Sequence, residues 1–321
     1  MDLSTIASAL VPTALLIAFG ALLRARGGFG EPFWVGVEGL TYNVLLPSLF
    51  VVTLARAEFG SVQVGTMALV LAGTTLVGAT LTTVLRRLAT DDGPAFTSVF
   101  QGAIRFNNYV GLVIASALFG AQGVALAALA NAVLVPIVNV LSTFVLARHG
   151  TGEIRGLGVA KAIATNPLVV SCVLGLALNL SRAPLGDVLA FPAVAGVLGV
   201  VASTMAILGQ AALPIGLLCV GSGLRRPEGA GHARPIVVSS VLRLVAMPAL
   251  ALAFTHLLGL RGDAAVVALV FLSLPTASSA YVLARRLGGD APLMASITAV
   301  QTGLALATVP AWMLLGQVVG T

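Results

Sequence analysis

Long apolar runs alternate along the chain with short polar or charged connections. A helix needs about 20 mainly apolar residues to cross the hydrocarbon core of a bilayer, and the runs have about that length or more. The pattern therefore predicts ten transmembrane helices. Their approximate bounds are 4–23, 33–55, 61–85, 95–119, 122–147, 161–180, 190–223, 235–258, 264–284 and 291–318.

Composition narrows the class of protein further. Of the 321 residues, 58% are apolar and 9% are charged, whereas a soluble domain has about 25% charged residues. Too few charged side chains remain to cover a soluble surface, and the apolar content is too high for a disordered chain. An all-α membrane protein in contact with lipid is the expected class.

Basic side chains are distributed unevenly among the predicted connections. Connections after odd-numbered helices hold twelve Lys or Arg residues, and connections after even-numbered helices hold three. Because cytoplasmic loops attract Lys and Arg, the odd connections are predicted to be cytoplasmic. Both termini are predicted to lie on the outer side of the cell membrane. The basic residues occur one to three at a time between apolar runs, so no nucleic-acid partner is expected.

The chain divides into two halves of five predicted helices, 1–150 and 151–321. The residues at 46–49 (LPSL) are echoed at 213–216 (LPIG), and those at 108–110 (NYV) at 280–282 (AYV). With five helices per half, a second copy would be inverted in the membrane, and inverted repeats with interrupted helices are typical of secondary transporters. Chance similarity between apolar helices remains the alternative.

The fourth predicted helix has polar residues near its middle, where residues 100–112 read FQGAIRFNNYVGL. Arg105 at bilayer depth is costly unless it faces water, a partner or a ligand, and Asn107 and Asn108 need hydrogen bonds that lipid cannot supply. Gly111 weakens the helix. We predict a broken helix with free N–H groups that suit an anion. A structural arginine that caps carbonyl groups or reaches the cytoplasmic edge is the alternative.

The ninth predicted helix has a matching feature at 274–281 (LPTASSAY). Pro275 removes a backbone hydrogen bond, and hydroxyl groups such as that of Ser278 can compensate for the loss. Helices four and nine are therefore predicted to be discontinuous and to cross near the membrane midplane. A plain kink without a ligand role is the alternative for Pro275.

Together these motifs resemble the auxin efflux carrier family, which contains plant auxin exporters and bacterial permeases, some named as malonate transporters. The resemblance covers essentially the whole chain and rests on segments 42–50, 105–112, 118–120, 166–168, 212–217 and 274–290. It implies a fold similar to bile-acid/sodium symporters. Helices 1, 2, 6 and 7 would form a scaffold and a homodimer interface, and helices 3–5 and 8–10 a transport domain that moves like an elevator.

The family also implies roles for individual residues. Plant members carry an Asn-Pro-Asn-x-Tyr motif at the crossover of helix four, and alignment by its tyrosine places Tyr109 last. Asn107 then matches the asparagine that helps to hold the substrate carboxylate. Phe106 replaces the crossover proline and Arg105 replaces an asparagine, which disfavours auxin itself. Asn131 lies where the family has a polar residue facing the substrate. The long hydrophilic loop of many plant exporters is missing, as in bacterial permeases.

Other polar residues within the predicted helices have two interpretations each. Asn43 could face a substrate vestibule or bond to a neighbouring helix, and Gln301 is interpreted as a packing group. Arg243 is expected to reach the cytoplasmic edge. Glu38 lies near a helix end, so the sequence offers no carboxylate in the membrane interior for proton or sodium coupling. This favours transport without a coupled ion, with sodium or proton symport as the alternative.

The expected function is therefore transport of a small organic anion, in the efflux direction. An intramembrane enzyme is disfavoured because the three histidines lie in connections or at helix ends, leaving no nucleophile–base pair. A channel or a sensor subunit is the remaining alternative. No cofactor and no bound metal are expected.

Overall fold

The computed structural model describes residues 3–58, 63–151, 165–181, 192–224, 233–277 and 279–318, and all regular secondary structure within them is helical. The first half contains α1 (Leu3–Ala25), α2 (Glu31–Leu40), α3 (Leu46–Arg56), α4 (Val64–Val84), α5 (Arg86–Ala89), α6 (Gly93–Ile104) and α7 (Asn108–His149). The second half contains α8 (Pro167–Ser181), α9 (Pro192–Gly223), α10 (Ala233–Val241), α11 (Met247–Leu258), α12 (Asp263–Ser273), α13 (Ser279–Leu287) and α14 (Ala291–Val318).

Two of these helices continue into the next through a wider helical turn. The turn Thr41–Leu45 joins α2 to α3, and Leu242–Ala246 joins α10 to α11. Pro47 and Pro248 follow them. Because proline has no N–H to bond the carbonyl group four residues earlier, the chain widens its turn there without leaving the helix.

The prediction of an all-helical membrane protein is confirmed. Six helical stretches of the described chain are long and apolar enough to cross a membrane, namely Glu31–Arg56, Val64–Val84, Gly93–His149, Gly196–Gly223, Ala233–Leu258 and Ala291–Gly316. Three shorter helices are also apolar, at Val11–Ala25, Pro167–Ser181 and Asp263–Ser273. The arrangement of ten helices in two inverted repeats stays a prediction.

Helix interruptions occur where the sequence predicts them. The chain leaves the helix after Ile104 and resumes it at Asn108, and it does so again between Ser273 and Ser279. The backbone N–H of Asn107 donates to the carbonyl oxygen of Pro275 at 2.9 Å, so the two interruptions meet. Within α7, Gly120 has φ 54° and ψ −135°, and this kink lies between the predicted helices four and five.

The helices pack in two groups. In the first group, formed by α1, α2, α3, α8 and α9, Gly20 of α1 lies directly against the backbone of Leu218 in α9. In the second, formed by α4 to α7 and α10 to α14, Gly78 of α4 lies directly against the side chain of Met247 in α11. Small residues allow membrane helices to approach this closely, so each group is tightly packed within itself.

Candidate functional site

A cavity of about 820 Å³ lies between the two helix groups. Residues of α1, α2, α8 and α9 form one wall, and the two interruptions with α7, α13 and α14 form the other. At one end the cavity reaches the surface beside Arg24, whose Nη2 pairs with Glu31 Oε2 at 3.3 Å. At its inner end it reaches Arg105 and Asn108, next to the crossing of the two interruptions.

Arg105 directs its guanidinium across the inner end of this cavity. Its Nη1 donates to Asn139 Oδ1 at 2.9 Å, and its Nη2 donates to Ser279 Oγ at 3.4 Å. Its Nε is buried and has no partner among the described residues, and no described carboxylate forms a salt bridge with it. The cation is thus held in place by neutral groups, and its charge remains available to a ligand.

Two helix N-termini point to the same place as this cation. α7 begins at Asn108 and α13 begins at Ser279, and both residues line the cavity. The first N–H groups of a helix have no partner within it and carry a partial positive charge. Arg105 and the two N-termini therefore make the inner end of the cavity electropositive.

Asn107 caps the start of α7 and leaves its amide nitrogen free. Its Oδ1 accepts a hydrogen bond from the N–H of Val110 at 3.4 Å. The residue is only 1% exposed, and its Nδ2 has no partner among the described residues. It lines a small second cavity together with Asn108, Tyr109 and Ser279. An unpaired buried donor is costly, so Nδ2 is a ready donor for a ligand oxygen.

The crossing is held together by the side chain of Gln301 in α14. Its Oε1 accepts from the N–H of Thr276 at 3.0 Å, and its Nε2 donates to the carbonyl group of Gly102 at 3.1 Å. These bonds connect one interruption to the end of the helix before the other. Gln301, which the sequence suggested as a packing group, therefore ties the interruptions together.

Phe106 and Gly111 complete the packing at the crossing. The ring centroid of Phe106 lies 5.7 Å from that of Phe271 in α12. A Cβ atom on Gly111 would lie 2.6 Å from Leu274 Cδ1, closer than real contacts allow. Glycine at this position lets the end of α12 approach α7.

Tyr109 joins the two helix groups. Its ring lies directly against Gly216 of α9, and the residue is 7% exposed. The hydroxyl group has no hydrogen-bond partner in the described chain. The contact brings the start of α7 onto the backbone of the other group.

The remaining predicted residues lie in different surroundings. Asn43 lines the main cavity, and its Nδ2 donates to the carbonyl group of Gly39 in its own helix at 2.7 Å. Asn131 donates to Ala127 of α7 at 2.9 Å and is not among the residues that line either cavity. Ser278 lies outside the described residues.

Glu38 is a carboxylate at the cavity that the sequence analysis did not propose as a site residue. It lines both cavities, and within the described chain its carboxylate has no hydrogen bond or ion pair. The main cavity extends inward along α2, so a residue near the helix end faces the crossing. Tyr42 and Cys219 line the same space and were also missed. No signal in the sequence tells which face of α2 borders a cavity.

Arg243 was expected at the cytoplasmic edge, and this prediction is wrong. The residue is 1% exposed. Its Nε donates to the carbonyl oxygen of Leu274 at 2.5 Å, and its Nη2 to that of Phe271 at 2.9 Å. The guanidinium therefore turns inward to the end of α12, because free carbonyl groups there accept its hydrogen bonds.

Comparison with known proteins points to membrane transport. A family model described as membrane transport protein matches residues 157–313. An uncharacterized transporter of Methanothermobacter thermautotrophicus is 25% identical over 303 residues, which cover 93% of this chain and 94% of the relative. Both matches support the resemblance to transporters of the auxin efflux carrier family. The resemblance found in the sequence is thus confirmed, and family and relative are transporters rather than enzymes. The chain is a multi-pass membrane protein.

Proposed function

We propose that this protein is a secondary transporter that moves a small organic carboxylate across the cell membrane, in the efflux direction. The observation that carries the proposal is the meeting of Arg105 with the N-termini of α7 and α13 at the inner end of one cavity. Helix N-termini at interrupted membrane helices bind anionic groups of substrates. A carboxylate accepts both charge-assisted and backbone hydrogen bonds there.

The proposed site combines these donors with the side chains around them. Asn107 supplies its unpaired Nδ2, and Asn108 lies at the first turn of α7. Tyr109 and Asn43 border the space, and Ala277 and Ser279 close it from the other side. Asn131 is left out because it lies away from both cavities.

We further propose that the two helix groups move against each other in the manner of an elevator. Each group is tightly packed, whereas the cavity separates them, and rigid-body shifts occur between such units. The group of α1, α2, α3, α8 and α9 is assigned as scaffold, and the other as transport domain. Arg24 lies in a connection after an odd-numbered predicted helix, and these connections hold most of the basic residues. The end of the cavity beside Arg24 is therefore assigned to the cytoplasm. The cavity then accepts substrate from the cell interior.

The scaffold is also the proposed homodimer interface. The first part of α9 exposes apolar side chains over most of its surface, at Val197, Val200, Val201 and Ile207. Lipid or a second copy would cover this face. Cross-linking of single cysteines along α9 in native membranes distinguishes lipid from a second copy. Only a dimer gives a linked band of twice the mass.

Counterflow uptake in proteoliposomes tests the transport function. A panel of mono- and dicarboxylates is offered with and without an imposed membrane potential, which contributes about 2.3 kcal/mol per charge per 100 mV. Saturable exchange of a carboxylate that responds to the potential is the expected result. A folded protein that exchanges no carboxylate would contradict the proposal. Unitary current steps in a planar bilayer would favour a channel.

Substitution of Glu38 by glutamine is expected to lower the KM for a carboxylate roughly fivefold. Like charges about 4 Å apart in water repel by about 1 kcal/mol, and the substitution removes this repulsion at constant shape. Glu31→Gln is the matched control, since Glu31 lies at the exposed end and pairs with Arg24. A raised KM in Glu38→Gln would instead mean that Glu38 holds a positive group of the substrate.

A further inference from the structure

Arg243 is a buried cation at the carbonyl end of an interrupted helix. α12 ends at Ser273, and the last carbonyl groups of a helix lack partners within it and carry a partial negative charge. Arg243 donates to the carbonyl oxygens of Phe271 and Leu274 at this end. No described carboxylate pairs with Arg243. Within the described chain, its charge is thus met by backbone carbonyl groups.

The wide turn before α11 places Arg243 at this end. Pro248 cannot donate to the carbonyl group of Leu244, and the indole Nε1 of Trp312 in α14 donates to it at 2.8 Å instead. This hydrogen bond anchors the turn to α14 at the position from which the Arg243 side chain extends. Since α10, α11, α12 and α14 belong to one packed group, the guanidinium and the carbonyl groups it binds move together.

The other interrupted helix is capped differently. At the carbonyl end of α6, Gln301 Nε2 donates to Gly102 O at 3.1 Å, and Thr276 Oγ1 donates to Gln101 O at 3.4 Å. Both of these donors are neutral. A full positive charge is thus placed within hydrogen-bond distance of carbonyl groups at the end of α12, whereas neutral side chains serve the end of α6.

In transporters with interrupted helices, such carbonyl ends coordinate the coupled cation. A buried guanidinium is costly to desolvate. Neutral donors are enough to bond the carbonyl groups at the end of α6. The positive charge at the end of α12 is therefore expected to have a function beyond capping. We propose that Arg243 is a tethered cation that occupies this cation position throughout the cycle, so that the protein needs no sodium ion. The proposal rests on the proposed transport function. Over a complete cycle, only the charge of the substrate then crosses the membrane.

Thermal unfolding of the purified protein tests this assignment without any substrate. The melting temperature of the wild-type protein is expected to be equal in sodium chloride and choline chloride at the same ionic strength. Arg243→Ala is expected to melt several degrees lower, because the carbonyl groups lose their cation. Millimolar guanidinium ion should restore part of the loss. Arg243→Lys, which keeps the charge, should lose less.

Arg234→Ala is the matched control. Arg234 also caps carbonyl groups, those of Leu88 and Arg87 at 2.6 and 2.8 Å, but it lies on the surface. The melting temperature of this variant is expected to be close to that of the wild type and not to change when guanidinium ion is added. An equal rescue of both variants would show that guanidinium acts nonspecifically, and would overturn the proposal.

The comparison of sodium with choline on the wild-type protein tests the proposal even if Arg243→Ala fails to fold. A wild-type protein that melts higher in sodium than in choline, or that exchanges carboxylate faster in sodium, has a separate sodium site, which overturns the proposal. An Arg243→Ala protein with wild-type stability and exchange would overturn it as well. If no carboxylate exchanges while the melting results hold, the proposed function fails and the assignment of Arg243 as the resident cation stands.

Discussion

Carboxylate exchange is expected to fall about 10- to 100-fold when Arg105 is replaced by alanine, because a charge-assisted hydrogen bond contributes about 1.5–3 kcal/mol and each 1.4 kcal/mol is tenfold in affinity. The substitution also removes the one cation among the described residues at the inner end of the cavity. Counterflow in proteoliposomes measures the loss, and the elution profile and melting temperature show that the protein is still folded.

Two further variants distinguish the effect of the positive charge of Arg105 from the effect of the position of its side chain. Arg105→Lys keeps the charge but loses the planar group, so partial exchange with a raised KM is expected. Asn139→Ala keeps the arginine but removes the acceptor of its Nη1, so a smaller loss of exchange is expected. Wild-type exchange in Arg105→Ala would show that the arginine only supports the structure, and the carboxylate site would have to be sought elsewhere.

Exchange should also be lost when Gly216 is replaced by valine. The ring of Tyr109 lies directly against Gly216, so the new side chain occupies space that the ring now fills. Because this contact joins the two helix groups, the start of α7 must shift, and movement of one group past the other is blocked. We expect a loss of at least about tenfold in exchange, with a destabilisation of about 1–3 kcal/mol as typical of overpacking.

Gly303→Val provides the control outside the proposed dimer interface. Gly303 lies in α14, and no atom lies within 4 Å of where its Cβ would be. This variant is expected to exchange carboxylate at the wild-type rate. Equal exchange by Gly216→Val and Gly303→Val would mean that the contact at Tyr109 neither limits movement nor shapes the site.

Much of this protein could be predicted because the relevant signals are local. Apolar runs of about 20 residues identify membrane helices, whatever their neighbours are. Pro275 and the polar residues around Asn107 disfavour a continuous helix within their own segments. The class of protein, the two interruptions and the resemblance to a transporter family therefore followed from the sequence.

Only the tertiary structure decided where individual polar groups point. Arg243 bonds to Leu274, 31 residues away, and Gln301 bonds to Gly102, 199 residues away. Whether Glu38 faces lipid or a cavity depends on which helices pack beside α2. Such contacts are fixed by how the helices cross, and a hydrogen bond between distant segments leaves no period or motif in either one. The sequence thus determined the membrane class and the helix breaks, while the packing of the two helix groups decided which charges meet at them.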